Sequence, residues 1–245
     1  MKTLAVIPAR YASTRLPGKP LLPIAGVPLV VRVLRQVQKC ESVDRVIVAT
    51  DDERIASLVR EHGGEAMMTP PELPSGGDRV AWVAREIPSE YVLNVQGDDP
   101  LVAGDMIDPL ITALDQDDST MLALLSKKIE NEEEVQMNSI VKMVFDEKGK
   151  GLYFSRSPIP YPRNPGGVWY KHIGPYAWRR DFLFEFSSWG QTPLEQVEGL
   201  EMLRVLEKGY AIRCVTVARD TIEIDTPEDV VRMEKYLKEN PHLAF

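Results

Sequence analysis

Cysteine, histidine and long apolar runs are scarce in this sequence, and each scarcity excludes something. Two cysteines and three histidines stand in 245 residues. Cys40 and Cys214 lie far apart in ordinary apolar contexts, so no Cys/His metal-ligand spacing exists. They read as reduced thiols; a disulfide between them is open but unsupported. No apolar run approaches the roughly 20 residues of a membrane span. The N-terminus reads straight into a strand with no signal-peptide pattern, and the expectation is a cytoplasmic protein. Basic charge is also short: the net charge of −8 argues against general binding to nucleic acid or insertion at an anionic membrane. There is no internal repeat and no low-complexity segment. What is there is an ordinary globular composition, 44% hydrophobic, at the length of one large α/β domain. A single domain over residues 1–245 is expected.

The basic residues that are present gather near the start. Leu4 to Ile7 is a short apolar run of the kind that makes a buried parallel strand. It breaks into a loop carrying Arg10, Arg15 and Lys19 together with Ser13, Thr14, Gly18, Pro8, Pro17 and Pro20. Proline restricts φ and glycine widens it, so the loop can hold an irregular shape. A helical pattern starts at about Pro28. Strand, cationic loop and helix at the edge of a parallel sheet is where α/β proteins bind phosphates. A P-loop is excluded, because position 13 is Ser rather than Gly and Pro20 follows Lys19; G-x-G-x-x-G is absent as well. Side-chain cations would have to hold the phosphates, and bidentate Arg contacts suit a triphosphate of about four negative charges. A solvated basic loop is the competing reading.

Strand-like and helix-like stretches alternate through the first half. Leu29, Val30, Val33, Leu34 and Val37 share one helical face. Val46 to Ala49 is a second apolar run, and Ile55, Leu58 and Val59 form the next amphipathic face, stopped by Gly63-Gly64 with His62 at the helix end. Met67-Met68 ends a short strand before the Pro-rich loop Thr69 to Gly77, where Ser75 or Asp78 can cap the following helix. Tyr91 to Val95 runs into Gln96-Gly97-Asp98-Asp99-Pro100. Those acids suit Mg²⁺, which takes carboxylate oxygens plus substrate phosphates, or they simply make a turn. Residues 105–115 read as a helix and Thr120 to Leu125 as a strand. Asn131 to Glu134 reads as a solvated acidic surface. Ile140 to Phe145, with Lys142 inside, reads as half-buried. Residues 156–168 are the least regular part, a lid or a dimer contact. Pro193 to Lys208 reads as one amphipathic helix closed by Gly209, and Ile212 to Val217 as the last strong strand. Thr226 and Pro227 make a strong helix start, with Asp225 just outside it.

These stretches resemble the 3-deoxy-manno-octulosonate (Kdo) cytidylyltransferase family along nearly the whole chain. The resemblance implies a Rossmann-like, mainly parallel sheet with helices on both faces, in the nucleotide-diphospho-sugar transferase-like variant. An antiparallel excursion at about 150–190 would bind the sugar and help build a homodimer. It implies transfer of CMP from CTP to the anomeric oxygen of a Kdo-type sugar acid, with pyrophosphate released and Mg²⁺ as cofactor, for lipopolysaccharide biosynthesis. Carried onto this sequence, it gives Arg10, Ser13, Arg15 and Lys19 to the nucleotide, joined by Ser75, Asp78, Arg79 and Gln96. Lys19, Arg15, Asp98 and Asp225 would be catalytic, the two aspartates as the metal ligands. Arg156, His172, Tyr176 and Glu201 match sugar-contacting positions; Arg suits a sugar carboxylate and His and Tyr suit hydroxyls. The sequence departs from the family pattern at Gly77 (Thr), Asp99 (Glu), Pro175 (an aliphatic residue) and Met202 (Gln). Gly77, Pro175 and Met202 keep a related acid open, such as an 8-amino-Kdo or a sialic-acid-like sugar. A catalytically silent nucleotide-binding protein on the same fold is the alternative of another class.

Overall fold

The computed structural model describes residues 1–12, 16–73 and 75–243, the His242 side chain excepted. The chain divides into two compact units, Met1–Asp108 with Thr221–Phe245, and Pro109–Asp220.

The first unit begins with β1 (Thr3–Ala9), a two-residue hairpin of β2 (Pro23–Ile24) and β3 (Val27–Pro28), and α1 (Leu29–Val37). It continues through β4 (Arg45–Thr50), α2 (Glu53–Glu61), β5 (Glu65–Met68), α3 (Gly76–Glu86) and β6 (Tyr91–Asn94) into α4 (Gly104–Gln116), within which the boundary falls. Its four longer strands run parallel in the order β6-β1-β4-β5. Leu4, Ala5, Val6 and Ile7 in β1 have no exposed surface. A parallel strand covered on both faces must be apolar throughout, which is why this run does not alternate. Burying each of its larger side chains contributes about 1.5–3 kcal/mol. The five apolar positions of α1 singled out by their spacing are all buried. Asp52 caps α2 by accepting from the Arg54 N–H at 2.9 Å. His62 closes that helix, its Nδ1 2.9 Å from the Leu58 carbonyl.

The second unit carries β7 (Leu122–Lys128), α5 (Glu132–Gln136), β8 (Lys142–Phe145), β9 (Gly151–Ser155) and β10 (Tyr170–Arg179). After them come α6 (Arg180–Ser188), α7 (Pro193–Glu198), α8 (Glu201–Glu207) and β11 (Ile212–Thr216). β11 pairs with β7 in parallel; β10 pairs antiparallel with β7 and β8, and β8 with β9. The antiparallel excursion is therefore present and opens earlier than expected, at Lys142. The ladder between β10 and β7 slips between Ile173 and Tyr176, where Pro175 has no N–H to donate.

One expectation changes here. The stretch 193–208 is two helices rather than one, because Gly199 ends α7 with a left-handed φ of 65°. The apolar spacing runs on through that break. Arg204 spans it, with Nε 2.7 Å from the Oε2 of the almost fully buried Glu195. The acidic stretch at 131–134 is solvated surface, with Asn131, Glu132 and Glu133 exposed, and it opens the short helix α5, capped by Asn131, whose side chain accepts from the Glu133 N–H. The chain then returns to the first unit in α9 (Pro227–Glu239), opened by Thr226 and Asp229 as a capping box. Among the described residues no helix is long and apolar enough to cross a membrane. Cys40 and Cys214 are both free and buried, and burial pushes each thiol up to about 12.

Candidate active site

Three segments distant in sequence meet at the strand ends of the first unit. Lys19 stands in the single 3-10 turn Lys19–Leu21 that follows the cationic loop. Its Nζ lies 2.8 Å from Asp98 Oδ2 and 3.1 Å from Asp225 Oδ1. Burial of Lys19 works against its charge, but the two carboxylates outweigh burial and raise its pKa, so it is an ammonium near neutrality.

The backbone fixes both aspartates. A Cβ on Gly97 would lie 2.7 Å from the Pro8 carbonyl oxygen, so only glycine lets the loop after β6 rest on the end of β1. The Ile224 N–H donates to the Asp98 carbonyl at 2.9 Å, tying that loop to the segment before α9. Asp229 Oδ2 accepts from the N–H groups of Asp225 and Thr226, at 3.1 and 2.9 Å. Asp99, which stands where the family has Glu, is buried, and its Oδ1 accepts from the Leu101 N–H at 3.0 Å.

The other residues assigned to the nucleotide fall into three groups. Arg10 donates from Nη2 to the Leu73 carbonyl and, at 3.4 Å, to that of Ser75, which draws the Pro-rich loop toward the end of β1. Ser75 caps α3, its Oγ accepting from the Asp78 N–H at 3.1 Å and donating to Asp78 Oδ2 at 2.6 Å. Gln96 is half-buried at the start of the acidic loop. Ser13 and Arg15 lie outside the described residues. Arg79 has no exposed surface, and its guanidinium is engaged by Asp51 Oδ2 at 3.0 Å and by Thr69 Oγ1.

Sequence reasoning passed over the base of the cationic loop. The Gly18 N–H donates to the Tyr11 carbonyl at 3.1 Å, and the Arg54 guanidinium lies 3.5 Å from the centroid of the Tyr11 ring. Gly18 takes a left-handed φ of 70° there. Only that glycine left a signal in the sequence.

In the second unit the His172 and Tyr176 rings stack, with centroids 5.1 Å apart and planes 6° apart. His172 Nε2 is buried and has no hydrogen-bond partner among the described residues. Burial lowers the His172 pKa to about 4, so the ring is neutral near pH 7. Arg156 donates from Nε to the Glu198 carbonyl at 2.8 Å and from Nη1 to that of Asn138 at 3.0 Å. Glu201 is exposed at the start of α8, whereas Met202 beside it is buried in the packing. Glu198 is the residue of this region that the sequence did not announce; an acid on a helix gives no separate signal.

Among the described residues no group of three or more His, Cys, Asp or Glu could hold a metal ion. Asp98 and Asp225 converge as a pair on one cation, the Lys19 ammonium. Two hard carboxylates fit Mg²⁺, whose remaining positions go to substrate phosphate and water.

The first unit is thus a parallel α/β unit with paired carboxylates and a lysine at its strand ends, the place where such folds take ligands. The chain belongs to the cytidylyltransferase family, whose model matches residues 4–219. Among curated relatives, it is 44% identical over 248 residues to the 3-deoxy-manno-octulosonate cytidylyltransferase of Syntrophotalea carbinolica, covering 97% of this chain and 99% of the relative. Among solved structures, it is similar to a CMP:2-keto-3-deoxy-manno-octonic acid synthetase complexed with CTP, with a TM-score of 0.94 and 38% identity over 98% of this chain and all of that one. The 4-diphosphocytidyl-2C-methyl-D-erythritol synthase of Anaerococcus prevotii shares the fold, with a TM-score of 0.65 at 15% identity, over 97% of this chain and 96% of that one. The expected family and fold class are thereby met.

Proposed function

We propose that this protein transfers CMP from CTP to the anomeric oxygen of 3-deoxy-manno-octulosonate, giving CMP-Kdo and pyrophosphate for lipopolysaccharide biosynthesis. The observation that carries this reading is the convergence of Lys19, Asp98 and Asp225 in a chain 44% identical, nearly end to end, to a Kdo cytidylyltransferase.

The reaction is an in-line displacement at the α-phosphorus, so the protein supplies positioning and charge neutralisation rather than a nucleophile. Asp98 and Asp225 would hold Mg²⁺, which when bound offsets phosphate charge as a Lewis acid. Lys19 is placed to offset charge on the departing pyrophosphate. Arg10 and Arg15 complete the cationic wall for the triphosphate. Ser13, Ser75, Asp78 and Gln96 serve the nucleoside end, and Arg79 acts through Asp51 and Thr69. Arg156 takes the sugar carboxylate, with His172, Tyr176 and Glu201 at its hydroxyls. A neutral His172 with a pKa of about 4 is a poor base near pH 7, so it orients the sugar acid and does not abstract its proton.

Exposed apolar side chains at Leu152, Tyr161, Val168, Leu194 and Val197 in the second unit support a homodimer. Sedimentation at micromolar concentration tests it, and a monomer there removes it. Buried, unpaired thiols are consistent with a cytoplasmic location. Substrate choice is tested by pyrophosphate release from CTP with Kdo, its 8-amino analogue and a sialic acid side by side. Release with Kdo is the expected result; release with another acid alone moves the specificity. No release with any of the three leaves the silent-protein alternative.

A further inference from the structure

The second unit grips one backbone position from all sides. The Arg156 N–H donates to Glu198 Oε2 at 3.0 Å, and the adjacent Ser155 hydroxyl donates to Glu198 Oε1 at 2.6 Å. The Arg156 Nε donates to the Glu198 carbonyl at 2.8 Å. The Arg156 carbonyl in turn accepts from Lys142 Nζ, which also donates to the carbonyls of Met137 and Ile140 at 2.8 and 2.7 Å. Lys142 is fully buried, so its ammonium is held by backbone oxygens where water cannot satisfy it. Glu198 is the last residue of α7, and Gly199 ends that helix before α8 opens with Glu201.

We infer that Glu198, with Lys142, is a positioning residue for the sugar acid: the two side chains fix the backbone at Arg156, whose guanidinium then reaches the Glu198 and Asn138 carbonyls, and they set the spacing from Arg156 to the start of α8. The inference rests on the reading of Arg156 as the carboxylate contact. A flexible arginine loses side-chain entropy on binding; an arginine already fixed by its neighbours loses less. Glu198 should therefore matter to the sugar acid far more than to CTP.

The test is steady-state kinetics of Glu198→Ala, Glu198→Gln, Lys142→Met and Arg156→Ala, each with a thermal melt. Glu198→Ala is expected to raise KM for the sugar acid about tenfold or more, as the loss of charge-assisted hydrogen bonds implies, while KM for CTP stays within about twofold. Glu198→Gln keeps one acceptor and should fall between wild type and Glu198→Ala; it also serves if the alanine variant does not fold. Lys142→Met should move the sugar KM the same way. Adding Glu198→Ala to Arg156→Ala should cost little more than Arg156→Ala alone. Equal rises in both KM values, or a lowered melting temperature with no change in either, would overturn the positioning role. If Arg156→Ala raises the sugar KM and neither Glu198 variant does, the inference fails and the Arg156 reading stands. If Arg156→Ala leaves the sugar KM unchanged, both fail.

Discussion

Lys19 and Asp225 are 206 residues apart in the chain, and Lys19 Nζ lies 3.1 Å from Asp225 Oδ1. The link exists because α9 returns to the first unit and its capping box fixes the residue just outside its N-terminus. An ammonium between two carboxylates keeps them together against their own repulsion. Those two carboxylates are the ones proposed above to hold Mg²⁺.

Asp225→Asn is expected to lower kcat by about 100-fold or more, because one of the two carboxylates proposed to hold the cation is lost. The α9 capping box is made by Thr226 and Asp229, so circular dichroism and the melting temperature should change little. Near-normal turnover at saturating Mg²⁺ would refute the assignment.

Arg79→Met should behave as a stability mutation. It leaves Asp51 without the partner 3.0 Å away, in a site where Arg79 is fully buried. Removing one member of a buried pair costs about 3–5 kcal/mol. Urea unfolding measures it. A loss below about 1 kcal/mol, or a rise in KM for CTP with stability unchanged, would place Arg79 at the ligand after all.

Gly97→Ala combines both effects. The new Cβ would meet the Pro8 carbonyl oxygen at 2.7 Å, and a backbone atom in a buried parallel strand cannot swing aside. Overpacking costs about 1–3 kcal/mol, and the displaced loop carries Asp98. Activity should therefore fall more than stability does. Full activity would mean that the loop is not held against β1.

His172 predicts a pH dependence whose sign follows from burial. Its pKa is about 4 in the fold against an ordinary 6.5. Between those values the unfolded chain binds a proton that the native one does not, so stability falls as pH drops from about 6.5 toward 4 and is unaffected by this group above that window. His172→Asn removes the term. Urea midpoints measured across this window should slope less steeply in the variant; equal slopes would contradict a buried neutral ring.

The parts of this account that were legible in the sequence share one property, that local pattern and tertiary context agree. The unbroken apolar run of β1, the spacing of α1 and the Thr226-Pro227 start of α9 each carry their own physical reason. The convergence of Lys19, Asp98 and Asp225 was legible only through resemblance, since nothing local says that residues so far apart meet. The break at Gly199 was hidden because apolar residues keep helical spacing through it. The pairing of Arg79 with Asp51 was not legible, because the two stand in separate motifs and only the fold brings them to 3.0 Å. Met202 departs from the family at a sugar-contacting position, and its side chain is buried in the packing. Glu198 had no signal at all, since its three bonds go to residues more than forty positions away.

The central claim is that Asp98, Asp225 and Lys19 form the reacting centre of a Kdo cytidylyltransferase. The most direct measurement is pyrophosphate release from CTP and Kdo as Mg²⁺ is titrated, with wild type beside Asp98→Asn. The account predicts release that needs both the sugar acid and Mg²⁺ in the wild type and that is lost in the variant at every Mg²⁺ concentration. Release independent of Mg²⁺, or undiminished in Asp98→Asn, would contradict it.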